Sequence, residues 1–185
     1  MKRIRTIIAT GIALGTLVIG CSGDESTPAA SFESFFPADN AVGSLVEDTS
    51  VGVAGDIDKA VNDQQAAALI NGDADPFMSR GFDAFGIEYY SDGTHSLELR
   101  IWQLKTAAST SEIYTALPTE ITRYDAAWET LSLGDGARVV DSGSSWWLNA
   151  HKGKYFVEVV GLAPNDAAGK QVGIDVVTFV VGKLP

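Results

Sequence analysis

The sequence predicts an α+β domain: an antiparallel β-sheet, made of a hairpin and a three-stranded meander, with helices packed mainly on one face. The hairpin is predicted by two alternating apolar segments around Asp92-Gly93, a dipeptide typical of tight hairpin turns. The meander is predicted by three short apolar segments within residues 137–160, separated by turn residues. Helix-like segments stand between and after these strand groups, an order that indicates α+β.

Two helices are predicted before the hairpin. Residues 56–70 are rich in Ala and Gln, begin with Asp56 as a cap, and run into Asn71-Gly72, a typical helix end. Asp75-Pro76 predicts a short second helix, because proline is favoured in the first turn of a helix. Gly81 then ends it.

The hairpin strands are predicted over residues 82–90 and 97–102. In the first strand, Phe85, Ile87 and Tyr89 share one face, and Glu88 and Tyr90 share the other. The second strand alternates leucine and isoleucine with a polar set that ends in an aromatic residue: Glu98, Arg100 and Trp102. Both strands therefore have an apolar face that must pack on other elements.

A pair of helices is predicted between the hairpin and the meander. Ser109 and Glu112 have the spacing of a capping box, so the first helix is expected to open there, and Pro118 either interrupts it or starts the next helix. A second helix is expected from apolar residues that recur at helical spacing. These residues are Ile121, Tyr124, Trp128 and Leu131.

The C-terminal part of the chain predicts the meander and a last helix. Its strands are expected over residues 137–141, 146–150 and 154–160, with turns at Gly143-Ser144 and Lys152-Gly153. Asn165-Asp166 predicts a helix N-cap, and the helix would cover residues 167–183. Many of these residues are β-branched, so a strand over 172–181 is the alternative.

The N-terminus is basic and then apolar. Lys2, Arg3 and Arg5 precede an apolar run over residues 7–19, which ends in Val18-Ile19-Gly20-Cys21. This pattern resembles a bacterial lipoprotein signal peptide with its lipobox, in which the cysteine receives the lipid. The alternatives are an uncleaved N-terminal anchor and a secretory signal that is cut elsewhere.

The resemblance to a lipoprotein leader implies an order of segments. Residues 1–20 are expected to form the signal peptide, residues 21–31 a lipidated flexible tether, and residues 32–185 one globular domain. Lipid on Cys21 would hold the domain at a membrane of the cell envelope, on the outer side of the cytoplasmic membrane or in the outer membrane, in the periplasm or exposed at the surface. Cys21 is the only cysteine, so no disulfide is expected in the domain.

Short motifs in the domain carry a second resemblance. They are Ile70-Asn71-Gly72-Asp73-Ala74, Gly81-Phe82, Leu133-Gly134-Asp135 and Lys152-Gly153-Lys154-Tyr155. In these motifs the chain resembles a family of exported bacterial domains of unknown function, from about residue 36 to the C-terminus. The resemblance implies the fold and the envelope location and implies no activity.

Charge excludes one class of partner. The whole chain has a formal net charge of −11, and residues 1–20 contribute three positive charges and no acid, so the remainder carries −14. Nucleic-acid binding needs clustered lysine and arginine on one surface. No nucleic-acid partner is therefore expected, and a cationic ligand remains compatible with the charge.

Metal and cofactor chemistry has little support in the sequence. Asp73 and Asp75 have the spacing of an EF-hand loop, but Pro76 and Phe82 stand where that loop needs glycine and glutamate. They are weak candidates for a metal site. With two histidines in the chain and no serine in a nucleophile-elbow context, no cofactor and no nucleophilic catalytic residue is assigned.

Two sets of side chains remain as functional candidates. Glu88, Glu98 and Glu158 lie on predicted strands, where a pair of carboxylates could support a glycan hydrolase. Trp102 and Trp147 lie on the polar sides of their strands, and Trp147 shares its side with Asn149 and His151. Either helices cover this side and bury both indoles, or the four residues form an exposed ligand-binding surface.

The leading functional hypothesis is a membrane-anchored, non-catalytic module that binds an envelope protein or a glycan. Its basis is the lack of an evident catalytic constellation together with the two tryptophans on polar strand faces. The alternatives are a carboxylate-based hydrolase of envelope glycans and a carrier of a small molecule or cation.

Overall fold

A computed structural model describes residues 30–51, 57–70, 74–120 and 127–185, and within these ranges the chain forms one antiparallel sheet. Its strands are β1 (Val46–Glu47), β2 (Asp58–Ala60), β3 (Phe82–Ser91), β4 (Ser96–Leu104), β5 (Glu129–Leu131), β6 (Gly136–Asp141), β7 (Trp146–Lys152) and β8 (Tyr155–Ala163). They lie in the order β1-β3-β4-β8-β7-β6-β5, and β2 also pairs with β3. The α+β class is confirmed.

Four helices among the described residues cover the two faces of the sheet. They are α1 (Asp63–Ile70), α2 (Asp75–Met78), α3 (Ala107–Glu120) and α4 (Ala167–Lys183). The first three pack on the side that carries Trp102 and Phe156, here called the α3 face. The fourth packs on the side that carries Leu99 and Val159, here called the α4 face. Helices thus lie mainly on one face, as predicted, and the longest one covers the other.

The predicted hairpin and meander are confirmed. Phe85 lies opposite Trp102 and Tyr90 opposite Leu97, so β3 and β4 pair in register around the Asp92-Gly93 turn. Gly93 has a φ of 85°, a left-handed conformation that glycine adopts without strain. The central pairing of β4 with β8 joins the hairpin to the meander, a contact that hairpin signals alone do not specify.

The last helix forms as predicted, and the strand alternative is wrong. Asp166 is the N-cap of α4, and its Oδ1 accepts a hydrogen bond from the Gly169 N–H at 2.8 Å. Trp146 lies between β8 and α4: a Cβ added at Gly161 or at Gly173 would come within 2.2 Å of its ring. Glycine at these two positions therefore lets the indole pack between sheet and helix.

Three element boundaries differ from the predictions. Residues 58–60 form β2 rather than helix, and α1 starts at Asp63, where Asn62 Oδ1 accepts from the Gln65 N–H. The hydroxyl of Thr106 caps α3 by accepting from the Ser109 N–H at 3.0 Å, so Ser109 lies inside the helix. Pro118 is also inside α3.

The helix expected around Trp128 is wrong at its C-terminal end. Residues 129–131 form the edge strand β5, which pairs with β6. Residues 121–126, which carry the first half of that predicted helix, lie outside the described ranges.

Candidate functional site

Trp102 lies in the core and takes no part in an exposed surface. Its side chain has no solvent exposure. Phe77 of α2 stacks on it with ring centroids 4.2 Å apart and planes 4° apart, and Phe82 meets it edge-on at 5.1 Å. The prediction that Trp102 belongs to an exposed ligand-binding surface is wrong, because α2 covers the sheet at that point.

Trp147, Asn149 and His151 share the α3 face, as the alternation predicts, but they are also buried. Trp147 is 8% exposed, packs with Val140 and Val160, and donates from Nε1 to Ser145 Oγ at 3.2 Å. The ring of His151 lies 4.5 Å from that of Tyr114 on α3. Sequence alternation gives the correct face here, but it does not show that a helix lies over it.

A paired charge network lies on this face. The Arg100 guanidinium bonds Glu98 through Nε, and its Nη1 donates to Glu158 Oε1 at 2.8 Å. In the amide orientation that gives both atoms partners, Asn149 Nδ2 donates to Glu158 Oε2 at 3.3 Å. The two carboxylates are therefore compensated inside the protein, which indicates a structural role.

A second cation is enclosed beside this network. The guanidinium carbon of Arg138 lies 4.1 Å from the ring of Tyr114 and 4.6 Å from the ring of Trp128. Burial and the nearby positive charge of Arg138 lower the pKa of His151. A neutral His151 fits this site, because a second positive charge would be poorly solvated there.

A cleft of about 610 Å³ lies on the α4 face, at the edge of the sheet where β1 and β2 pair with β3. Its other walls are the segment before β1 and the end of α4. Charged lining groups are four acids and two lysines: Glu33, Asp39, Glu47, Glu88, Lys59 and Lys183. The apolar lining includes Phe36 and Ile57.

Glu88 is the buried acid of this cleft. It is 7% exposed, and its Oε1 accepts a hydrogen bond from the N–H of Tyr89 at 3.1 Å. Within the described ranges no donor reaches its other carboxyl oxygen. Burial, with a smaller contribution from Glu47 and Asp58, raises the pKa of Glu88 to about 7. The group therefore changes charge near neutral pH, a property enriched at functional sites.

The walls of the cleft are fixed by contacts distant in sequence. The Tyr90 hydroxyl donates to the Pro37 carbonyl at 3.0 Å, and Asp39 Oδ1 accepts from the Glu47 N–H at 2.9 Å. Phe36 closes over the sheet at Gly86, where a Cβ would lie 2.8 Å from its ring. The cleft is therefore preformed, as ligand sites usually are.

The two lysines of the cleft already have partners. Lys59 forms an ion pair with Glu33 across the cleft. Lys183 Nζ donates to the Ser34 carbonyl at 3.2 Å and lies 4.4 Å from the ring of Phe179. Neither lysine is shown to bond Glu88 in the part of the chain that the structure describes.

The strand carboxylates do not converge on one site. Glu98 and Glu158 share the α3 face with Arg100, and Glu88 points to the opposite face. Sequence reasoning counted Glu88 among the strand acids but missed the cleft around it. Its walls come from β1, β2 and the Phe36–Asp39 region, and none of these was predicted to pair with the hairpin.

The metal and lipid candidates are only partly covered by the structure. Asp75 begins α2, while Asp73 and Cys21 lie outside the described ranges. Over the residues that are described, no three His, Cys, Asp or Glu side chains are grouped so as to hold a metal ion. No helix in those ranges has the length and apolarity to cross a membrane.

No family model matches this chain, and no curated protein matches it.

Proposed function

We propose that this chain is a membrane-anchored lipoprotein of the cell envelope that acts as a non-catalytic binding module through the cleft beside Glu88. The leader that ends at Cys21 supports the anchor, and the net charge of the domain argues against a nucleic-acid partner. The observation that carries the binding role is the buried carboxyl of Glu88, which faces a preformed cleft and keeps one oxygen without a partner among the described residues.

The cleft favours a polar or charged ligand over a glycan. Sugar sites commonly offer the open face of an aromatic ring, yet the rings nearest this cleft are buried, with Tyr90 2% and Phe36 6% exposed. Trp102, Trp146 and Trp147 are buried as well, and Trp128 is half-buried beside Arg138. The cleft therefore replaces the exposed surface that was predicted around Trp102 and Trp147 as the proposed binding site.

One observation favours a hydrolase as the second candidate. Glu88 has a raised pKa, and Glu47 lies on the same sheet face in the same cleft, so a proton donor and a second carboxylate are close together. An acid and a carboxylate in one cleft are the requirements for glycoside hydrolysis. Release of reducing sugar from envelope glycans by the wild type, and its loss in Glu88→Gln, would favour this candidate.

A cleft-blocking variant tests the binding role. Ala38 is exposed at the cleft, so Ala38→Trp places an indole there without entering the core; Ala108→Trp is the matched change on the exposed side of α3. The lipidated chain is extracted from membranes in mild detergent, and its bound molecules are identified by native mass spectrometry. We expect wild type and Ala108→Trp to retain the same ligand and Ala38→Trp to lose it. Identical ligand content in all three would refute a role for the cleft.

A further inference from the structure

We propose that the cleft binds an organic primary ammonium group, which pairs with the carboxylate of Glu88 as Glu88 releases its proton to solvent. This inference rests on the proposed binding function and names the chemical class of the ligand.

Glu88 offers the cleft a carboxyl oxygen that can accept a hydrogen bond. Its Oε1 has the Tyr89 N–H as donor, and in the described part of the chain nothing donates to Oε2. This oxygen opens to solvent in the cleft, where an ammonium donor would replace water with a charge-assisted hydrogen bond. Since Glu88 lines the cleft, a ligand placed there can supply the missing donor.

The charges that line the cleft around Glu88 are mainly negative. The groups that line the cleft with it are Glu47 from β1, Lys59 from β2, Glu33 and Asp39 from the preceding segment, Tyr90 from its own strand and Lys183 from α4, while the charge of Asp58 acts on it from the opposite face of β2. Lys59 is paired with Glu33, and Lys183 bonds the Ser34 carbonyl. The remaining field is acidic, so it attracts a cation and repels an anion.

The lining of the cleft fits a compact organic cation better than a metal ion. A metal ion would need several ligating side chains, and the residues described here hold no such group. A primary ammonium has three donors on a compact head, and its alkyl stem can lie on the partly exposed Ile57. The pair of Lys59 with Glu33 shows that the cleft accommodates an ammonium against a carboxylate.

The proton balance makes the binding dependent on pH. A protonated amine enters, the neutral carboxyl of Glu88 loses its proton to solvent, and an ammonium–carboxylate pair remains. The pKa of Glu88 is about 7, whereas alkyl amines stay charged up to about pH 10. Raising the pH from 6 to 8 therefore increases the ionised fraction of Glu88, and with it the affinity, by about tenfold.

The test uses the full lipidated chain in detergent micelles and isothermal titration calorimetry. The probes are 1,5-diaminopentane, its uncharged analogue 1,5-pentanediol, and N-acetyl-lysine methylamide, which separates a free amine from a lysine side chain in a peptide. We expect at least one of the two amines to bind, about tenfold more tightly at pH 8 than at pH 6, and the diol not to bind. Glu88→Gln should weaken amine binding at least tenfold at pH 8 and remove the pH dependence. Glu112→Gln, the same change on exposed α3, should leave both unaltered.

Three results would overturn the inference: no amine binding at pH 8, equal binding of the diol, or unchanged binding to Glu88→Gln. If Glu88→Gln does not fold, the comparison of diamine with diol and the pH dependence of the wild type decide the question. A ligand lost in Ala38→Trp, combined with no amine binding, would preserve the cleft as a site and reject the ammonium class alone.

Discussion

Glu158 on β8 and Glu88 on β3 lie in the same sheet with β4 between their strands, yet their surroundings are opposite. Both are nearly buried, at 3% and 7% exposure. Glu158 points to the α3 face and bonds Arg100, whereas Glu88 points to the α4 face and lines an acidic cleft. The difference shows that burial alone does not reveal whether a carboxylate is compensated by a cation inside the protein or opens to a cleft.

The position of each strand explains this difference. β8 lies inside the sheet between β4 and β7, so a residue on it is surrounded by partners on both sides. Glu88 is on β3, whose outer side is only partly covered by the short strands β1 and β2. A carboxyl near this edge reaches a cleft, where a ligand can provide what a neighbouring strand provides for Glu158.

Removing the cation of the paired network should have the largest effect on stability. Arg100→Met leaves Glu98 and Glu158 buried without a counter-charge. We expect a loss of about 3–5 kcal/mol in the free energy of unfolding, measured by urea denaturation. A loss below about 1 kcal/mol would mean that water already solvates these carboxylates, and the contrast with Glu88 would fail.

The second largest loss of stability should come from substitutions in the closely packed part of the α4 face. Gly173→Ala places a methyl group against the Trp146 ring and should cost about 1–3 kcal/mol. Gly182 is in the same helix with no atom within 4 Å of an added Cβ, so Gly182→Ala should instead stabilise by about 0.5 kcal/mol. Thermal unfolding of both variants checks the pair. Equal shifts would show that the indole can move aside and that this face is loosely packed.

Glu88 should have a smaller effect on the free energy of unfolding, and this effect should depend on pH. Its folded pKa is raised, so between about pH 4.5 and 7 the folded state binds more protons than the unfolded chain, and stability falls as the pH rises. Because the carboxyl faces water in the cleft, we expect a fall of about 1–2 kcal/mol across this range that Glu88→Gln lacks. Urea denaturation at several pH values measures it. The same slope in wild type and variant would place the pKa of Glu88 at its ordinary value.

Replacing His95 or His151 should have the smallest effects on stability, and the two effects should depend on pH in opposite directions. The His95 ring lies 3.1 Å from Asp92 and 3.2 Å from Asp166, and the bond to Asp92 is the main reason that its pKa is raised. Its contribution to stability is therefore present below about pH 6.5 and lost as the pH rises through the folded pKa. His151 has a lowered pKa, so its contribution is lost as the pH falls below about 6.5. Chemical denaturation of His95→Gln and His151→Gln between pH 5 and 8 should show pH dependences that diverge from the wild type in opposite directions. Stability–pH curves of the two variants that run parallel to the wild-type curve would contradict this account.

Local signals predicted most of the fold. The Asp92-Gly93 hairpin, the meander and the Asp166-capped helix all follow from neighbouring residues, because turn and cap chemistry acts over a few positions. The strands β1, β2 and β5 are two or three residues long and depend on partners distant in the chain, so no local pattern marked them. Alternation placed Trp147 on its correct face but could not show that α3 lies over that face.

The candidate site depends on the same distant contacts. Glu88 was recognisable as a strand acid, but its cleft requires the Tyr90 hydroxyl to hold Pro37 and requires Lys59 to reach Glu33. These pairs are separated by dozens of residues and follow from tertiary packing rather than from local propensity. Such contacts decide whether a buried acid is paired or faces a cleft.

A site-specific carboxyl titration of Glu88 by NMR tests the central claim most directly. The full chain, labelled at glutamate side chains, is titrated with and without 1,5-diaminopentane, and Glu88→Gln assigns the resonance. We predict a midpoint near pH 7 that moves to lower pH when the diamine is present, because the bound ammonium stabilises the carboxylate. A midpoint near the ordinary glutamate value of about 4.3, unmoved by the diamine, would contradict the account.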